Sequence, residues 1–356
     1  MSYQSCRGRR VTTFIAAGAV GALTLAACGS DSSETPEAAT AESLQIALSA
    51  QPQASLVPLV YGVDNFGGAF DLDVSVADNV TIFDSHATAA QTVLGGRAQV
   101  MGSSISSILA AREQGEDFKI FCPYVSMDDF VLTGANGVNT VGQLFDPSTR
   151  VAIDSPGGAG AIILNALLTG TGESRSIQDI PNQQIIESSS LRTAAWAAGD
   201  VDATVIHEDQ YESAEANVNE PVRIATLYEN VDTFIKEAQA ADGEWLEQNR
   251  ELAAKYCATT LRAMKTLKSD FALFQTAVNE YVEEPPAEEE LRVLFDLIEQ
   301  YPFWTDDGGL SEDSMAFMIE VATESGVLTE PMNAADVVDR ETLNRAVELA
   351  NQPEAQ

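Results

Sequence analysis

The sequence predicts an α/β fold of layered, largely parallel sheets. Three observations carry this. Short apolar runs alternate with helical patterns from residue 44 to residue 168. The strand-to-helix turns are built from Ser, Gly and neutral amides. One strand–helix–strand unit recurs 103 residues further along the chain.

Residues 44–48 read as a strand, followed by a neutral polar loop over 49–53 and a helix over 54–61. A second strand covers 80–83, and an Ala-rich helix over 88–94 stops at Gly95-Gly96, as helices often stop at glycine. A third strand over 98–101 runs into Gly102-Ser103-Ser104 and a helix over 105–114. Strands follow at 118–124 and 130–133, then at 151–154, with the turn 155–160 opening a helix over 161–168. From about residue 242 the character changes to long amphipathic helices over 245–268, 271–282, 288–299 and 314–323, broken by Pro285-Pro286 and a loop over 301–310. Their apolar stripes read as core-facing.

Displacing the chain by 103 residues, without gaps, sets Ile82-Phe83-Asp84-Ser85 on Ile185-Ile186-Glu187-Ser188 and Gly96 on Gly199. Ala98 and Val100 fall on Val201 and Ala203, and Ser104 falls on His207. Two equivalent βαβ units explain this. Reuse of the same α/β grammar by unrelated segments is the competing explanation.

The chain has 356 residues, room for two domains, with 45% apolar and 21% charged residues. That composition excludes wholesale disorder, a coiled coil and a polytopic membrane protein. Acids outnumber bases 54 to 19, for a net charge of −35. Such a field repels phosphate backbones, so no nucleic-acid partner is expected.

Residues 1–10 are basic and 11–25 carry no charge. At about 1.5 Å per residue this apolar segment falls short of a hydrocarbon core of roughly 30 Å. Residues 1–27 therefore read as a secretory signal. It ends in Leu25-Ala26-Ala27-Cys28-Gly29, which resembles the bacterial lipobox. That resemblance implies cleavage before Cys28 and its lipidation. An ordinary cleavage site with a Cys nearby is the alternative. Residues 28–43 read as a disordered tether, because 29–43 contain no Leu, Ile, Val or aromatic residue. Two cysteines remain, Cys122 and Cys257. Outside the cytoplasm they could form a disulfide or stay as buried thiols.

No enzyme signature stands out. There is no G-x-S-x-G elbow, no Walker A motif and no CxxC, and the only histidines are His86 and His207. Gly157-Gly158-Ala159-Gly160 opens a helix as dinucleotide loops do, but the position that would need the third glycine is Ile163. No cofactor and no metal is expected. The turns at 49–53, 102–104 and 155–160 instead suit a ligand cleft, since free N–H groups and helix dipoles point out of such turns. Each turn alone is more often a helix cap; the three together favour a cleft.

The chain resembles the substrate-binding proteins of bacterial ABC importers, in the broad group serving nitrate, sulfonates and thiamine-pyrimidine precursors. The residues that carry the resemblance are Gly115-Glu116-Asp117-Phe118-Lys119-Ile120, Val151-Ala152-Ile153-Asp154-Ser155-Pro156-Gly157, Ala198-Gly199-Asp200-Val201-Asp202-Ala203 with Val205-Ile206-His207-Glu208, and Trp304-Thr305-Asp306-Asp307-Gly308-Gly309-Leu310. It implies a type II periplasmic-binding fold. Lobe I would comprise 44–125 and 224–350, and lobe II 126–223, with crossings near 124–130 and 221–223. It further implies a monomeric, lipid-anchored subunit on the outer face of the membrane, without catalytic activity. That subunit would capture a small solute and hand it to a permease driven by a separate ATPase. The eukaryotic pyrimidine synthase of this group carries a Cys-rich cluster that this sequence lacks.

Ser49, Gln51, Gln53, Ser85, Ser103 and Ser104 are the candidate contacts of the first lobe. Those of the second are Ser155, Gly157, Gly158, Ala159, His207 and Glu208. These loops hold no Arg or Lys, while Asp154, Glu208 and Asp209 tilt the second lobe toward an amine-bearing or thiamine-pyrimidine-like heterocycle. A sulfonate or nitrate comes next. A surface lipoprotein that senses a solute or binds a protein, without transport, is the alternative role.

Overall fold

The computed structural model describes residues 42–83 and 85–353. The signal, Cys28 and most of the tether lie outside the described residues. Tether residues 42 and 43 are inside the fold: Glu42 makes a β-bridge with Leu72, and its carboxylate meets Lys255 Nζ at 2.8 Å. Backbone pairing and an ion pair order these two residues without an apolar side chain.

Among the described residues, ten strands form two five-stranded sheets. The first contains β1 (Ile46–Leu48), β2 (Val80–Ile82), β3 (Val100–Ser104), β4 (Phe118–Val125) and β10 (Glu237–Asp242), in the order β2-β1-β3-β10-β4. The second contains β5 (Phe130–Gly134), β6 (Val151–Ile153), β7 (Gln183–Ile185), β8 (Ala203–His207) and β9 (Val222–Thr226), in the order β7-β6-β8-β5-β9. In each sheet three neighbouring strands are parallel, and the fourth is antiparallel to both of its neighbours. That antiparallel strand, β10 or β5, is the one that enters straight after the chain has crossed from the other sheet. The sheets are therefore mixed, less parallel than the strand–helix alternation suggests.

The chain leaves the first sheet after Val125 and enters the second at Phe130. It leaves the second after Thr226 and re-enters the first at Glu237. The return lies downstream of the expected 221–223, because Val222–Thr226 is a strand paired with β5.

The principal helices are α1 (Val57–Phe66), α2 (His86–Leu94), α3 (Ile105–Glu113), α4 (Ala159–Gly170), α5 (Ser189–Ala197), α6 (Glu208–Ala214), α7 (Arg250–Lys268), α8 (Phe271–Tyr281), α9 (Glu288–Gln300), α10 (Glu312–Glu324) and α11 (Arg340–Ala350). The helix expected over 245–268 is two, split at Asn249, whose side chain donates to Trp245 O at 2.8 Å. The 103-residue displacement holds element by element. It carries β2, α2 and β3 (80–82, 86–94 and 100–104) onto β7, α5 and β8 (183–185, 189–197 and 203–207).

One large core runs through both sheets, from Leu48, Ile108 and Phe118 to Ile153, Ile163 and Leu167. A smaller core of Val131, Ala152, Trp196, Ile206 and Tyr211 backs the second sheet. Helix α7 is buried on most of its circumference from Ala253 to Leu267, with Ala254, Cys257, Ala258, Leu261 and Met264 among its buried apolar residues. It lies against α1, β4 and α11. The approach to α1 is close at Gly62, where a Cβ would stand 2.6 Å from Thr259 O. Cys122 on β4 and Cys257 on α7 are bonded, with their Cα atoms 5.6 Å apart. The tail is not confined to the first sheet. Helix α10 packs on α4, where Asn165 Nδ2 donates to Glu324 Oε2 at 2.8 Å.

Candidate functional site

Parallel strands end where their following helices begin, so the loops of both sheets converge on the space between them. Two cavities lie there. The larger, about 400 Å³, is walled by Gln53, Ala54 and Ser55 after β1, and by Asp128 and Asp129 in the first crossing. Ser189 and Ser190 of α5, His207 at the end of β8, and Asp209 and Gln210 after it form its opposite wall. The segment from Val282 to Leu294, including Glu284 and Glu290, covers it. The smaller, about 70 Å³, lies between the first turns of α3 and α4, with His86, Phe234, Lys236 and Glu237 around it.

A cluster of charges stands between the two. His207 Nδ1 is 2.6 Å from Asp129 Oδ1, and its ring stacks on Phe130, its cross-strand partner, with centroids 4.0 Å apart. Lys236, in the second crossing, pairs with Asp128 in the first. Burial alone would keep His207 neutral, but Asp129 and Asp128 raise its pKa above the ordinary histidine value. Burial pushes the Asp129 carboxyl up, yet His207 and Lys236 together hold it below the usual range. Burial likewise opposes the Lys236 ammonium, and Asp128 and Glu237 outweigh it. Glu237 itself is raised by burial. Asp128, Asp129 and His207 place three donor atoms within 4.8 Å of one another, a set a divalent ion could use. Lys236 and the imidazolium already supply the balancing charge.

Of the expected contacts, Gln53 and His207 reach the larger cavity, and Ser104 and Ala159 reach the smaller. Ser49 is buried at the end of β1, its Oγ without a partner among the described residues. Gln51 is exposed and lines neither cavity. Ser85 and Ser104 are N-caps, accepting from Thr88 N and Ser107 N. Ser103 Oγ lies 2.9 Å from His86 Nδ1. Ser155, Gly157 and Gly158 line neither cavity. Gly158 is the N-cap of α4, and the amides of Ser155, Gly160 and Ala161 are taken by the Asp154 carboxylate at 2.9, 2.9 and 3.0 Å. The turn that looked ready for a ligand is filled by the protein's own acid. Glu208 is buried against Arg223, at 2.5 Å, and accepts from Tyr228 OH at 3.4 Å.

Asp128, Asp129, Ser189, Ser190 and the Glu284–Glu290 wall were not among the sequence candidates, whereas Asp209 was read there as a charge that tilts the ligand preference. Ser189 had a signal, because the 103-residue displacement pairs it with His86. The wall had none, since only the packing of α9 on α7 and α8 brings it over the cleft.

Two mixed sheets, joined by two crossings around a shared gap, define the periplasmic-binding-protein fold. Solved structures of this class match the chain over most of its length. A putative periplasmic sulfonate-binding protein SsuA of an ABC transporter from Methylobacillus flagellatus KT is 14% identical, covering 89% of this chain and 98% of its own, with TM-score 0.65. The periplasmic nitrate-binding protein NrtA from Synechocystis PCC 6803 is 13% identical, covering 87% and 89%, with TM-score 0.57. A Candida albicans gene product, described as having the generic periplasmic binding protein structural fold, is 12% identical, covering 85% and 95%, with TM-score 0.58. No protein-family model and no curated protein matches the sequence.

Proposed function

We propose that the protein is the solute-binding subunit of an ABC importer, non-catalytic, lipid-anchored through Cys28 outside the cell membrane. It captures an amine-bearing polar solute, with a thiamine-pyrimidine-like heterocycle as the leading type, and delivers it to a permease. The observation that carries the ligand class is the charge of the larger cavity. Asp128, Asp129, Asp209, Glu284 and Glu290 line it, and among the described residues no Arg or Lys does; the one cation in the lining, the His207 imidazolium, is paired with Asp129. A sulfonate or nitrate entering there would meet carboxylates from both walls, at a Coulomb cost that grows as water is excluded. An ammonium or amino-pyrimidine meets acceptors instead.

Closure follows from the same charges. Asp209, on the second-sheet side, and Glu290, in the covering segment, repel across the mouth. A cationic group between them converts that repulsion into attraction, so the ligand stabilises the closed form by contacts it makes only there. Calorimetric titration with an amino-pyrimidine, a sulfonate and nitrate tests the reading. Micromolar binding of the sulfonate or nitrate, with no response to the amine, would overturn it. Intact-mass measurement of membrane-extracted protein tests the anchor: an unacylated Cys28 would remove it.

A further inference from the structure

The larger cavity has two unlike ends. At its mouth Asp209, Glu284 and Glu290 are exposed, and none is in an ion pair among the described residues. At its floor Asp128 is 2% exposed and already faces a cation, Lys236, which comes from the other crossing and also borders the smaller cavity. The Lys236 backbone is held on both sides. Its backbone N–H donates to Val125 O and Ser126 O at 3.0 and 3.1 Å, and its carbonyl accepts from Ile105 N at 3.0 Å. Its ammonium lies 5.7 Å from the Phe130 ring centroid, on the ring that also carries His207. The floor thus presents a buried carboxylate whose cation site is filled from behind.

We infer that Lys236 is a specificity-determining residue. Its ammonium occupies the floor carboxylate, so the cleft accepts a solute with one cationic end, held at the mouth, and rejects one that is cationic at both ends. The inward end must then be neutral or an acceptor. His207 Nε2 has no protein partner among the described residues, and the hydroxyls of Ser189 and Ser190 stand in the same wall. This inference rests on the amine reading of the cleft.

The test uses two probes of equal length that differ only at the inner end, 4-aminobutan-1-ol and 1,4-diaminobutane, titrated calorimetrically into the full chain. The wild type should bind the amino alcohol at least tenfold more tightly. Lys236→Met vacates the floor, and the diamine should then gain at least tenfold relative to the amino alcohol. Lys236→Gln carries the same expectation and still donates to Asp128, should the methionine variant fail to fold with a buried unpaired carboxylate. In Asp128→Asn/Lys236→Met the diamine gain should vanish. A wild type that binds the diamine as well as the amino alcohol overturns the inference without any variant. An unchanged ratio in Lys236→Met or Lys236→Gln overturns it while leaving the amine reading standing. A wild type that binds neither amine but takes up a sulfonate removes the amine reading and this inference together.

Discussion

Breaking the Cys122–Cys257 bond should cost the fold a large share of its stability, through the unfolded chain. The bond spans 135 residues, and between its ends lie both crossings and all of β5 to β9. Chain-entropy cost follows −2.1 − 1.5R ln n, which for a loop of this size gives about −17 cal/mol/K, or about 5 kcal/mol at 25 °C. Both cysteines are fully buried, so reductant reaches them only as the protein opens. The assay is therefore a urea titration of oxidised protein, of protein denatured and refolded with reductant, and of Cys122→Ala/Cys257→Ala. The reduced wild type is the cleaner comparison, because the alanine variant also loses two packed sulfur atoms. The oxidised protein should show the higher midpoint and the smaller denaturant slope, since its unfolded state stays more compact. Coincident curves would refute the loop argument. Free thiols mapped by alkylation to Cys122 and Cys257 in unreduced, denatured protein would refute the bond itself.

Gly62→Ala should destabilise by about 1–3 kcal/mol, because its Cβ would press on the backbone carbonyl of Thr259 and push α1 off α7; equal melting temperatures would contradict this. The His207 imidazole, followed by NMR, should titrate above the ordinary 6.5, with Asp129→Asn bringing it down. The stability that His207 gains from Asp129 should be fully present below pH 6.5 and fade as pH rises through the raised pKa. On the acid side the lowered Asp129 carboxyl contributes above its ordinary 3.8, and that contribution goes as pH falls through its depressed value. A pH–stability profile identical in wild type and Asp129→Asn would rule the pair out as a contributor. Asp209→Asn and Glu290→Gln should each weaken amine binding about tenfold, or about 1.4 kcal/mol, without weakening the binding of any neutral solute.

The layered α/β class, the helix-rich tail and the unit repeated at 103 residues were legible because each depends on local pattern. Val222–Thr226 shows where local pattern stops: its β-branched run suits a strand, but only pairing with β5 assigns it to the second sheet. The turn after β6 shows a different limit. Ser155 to Gly160 has the residues of an anion site, yet the acid that precedes it competes for the same amides and takes them. Spacing alone cannot decide whether an Asp at a strand end faces its own helix or a ligand. The acidic wall was hidden for a third reason. Glu284 and Glu290 sit in a Pro-interrupted, highly charged stretch that reads as a solvated face, and their place over the cleft depends on where α8 and α9 settle.

The repeat also explains why the two cavities differ in chemistry. Equivalent positions carry exchanged residues: His86 in the first unit answers to Ser189, and Ser104 answers to His207. Each cavity therefore receives one histidine, but at a different station, the first turn of a helix in one case and the end of a strand in the other. Station decides charge. His207 ends β8 beside β5, so the first crossing sets Asp129 against it and the imidazole gains a proton. His86 meets a neutral hydroxyl, Ser103, and burial lowers its pKa. The same βαβ frame thus yields a charged histidine within the acidic wall and a neutral one beside the small cavity. The difference comes from the crossing segments, which belong to neither repeat. Exchanging the two stations, with His86→Ser/Ser104→His, tests this: the cross-strand partner of Ser104 is Glu237, and the residue before it, where Asp129 stands before Phe130, is the cation Lys236, so an imidazole at 104 should titrate below His207. An imidazole at 104 that titrates as high as His207 would show that Asp129 is not what sets the charge.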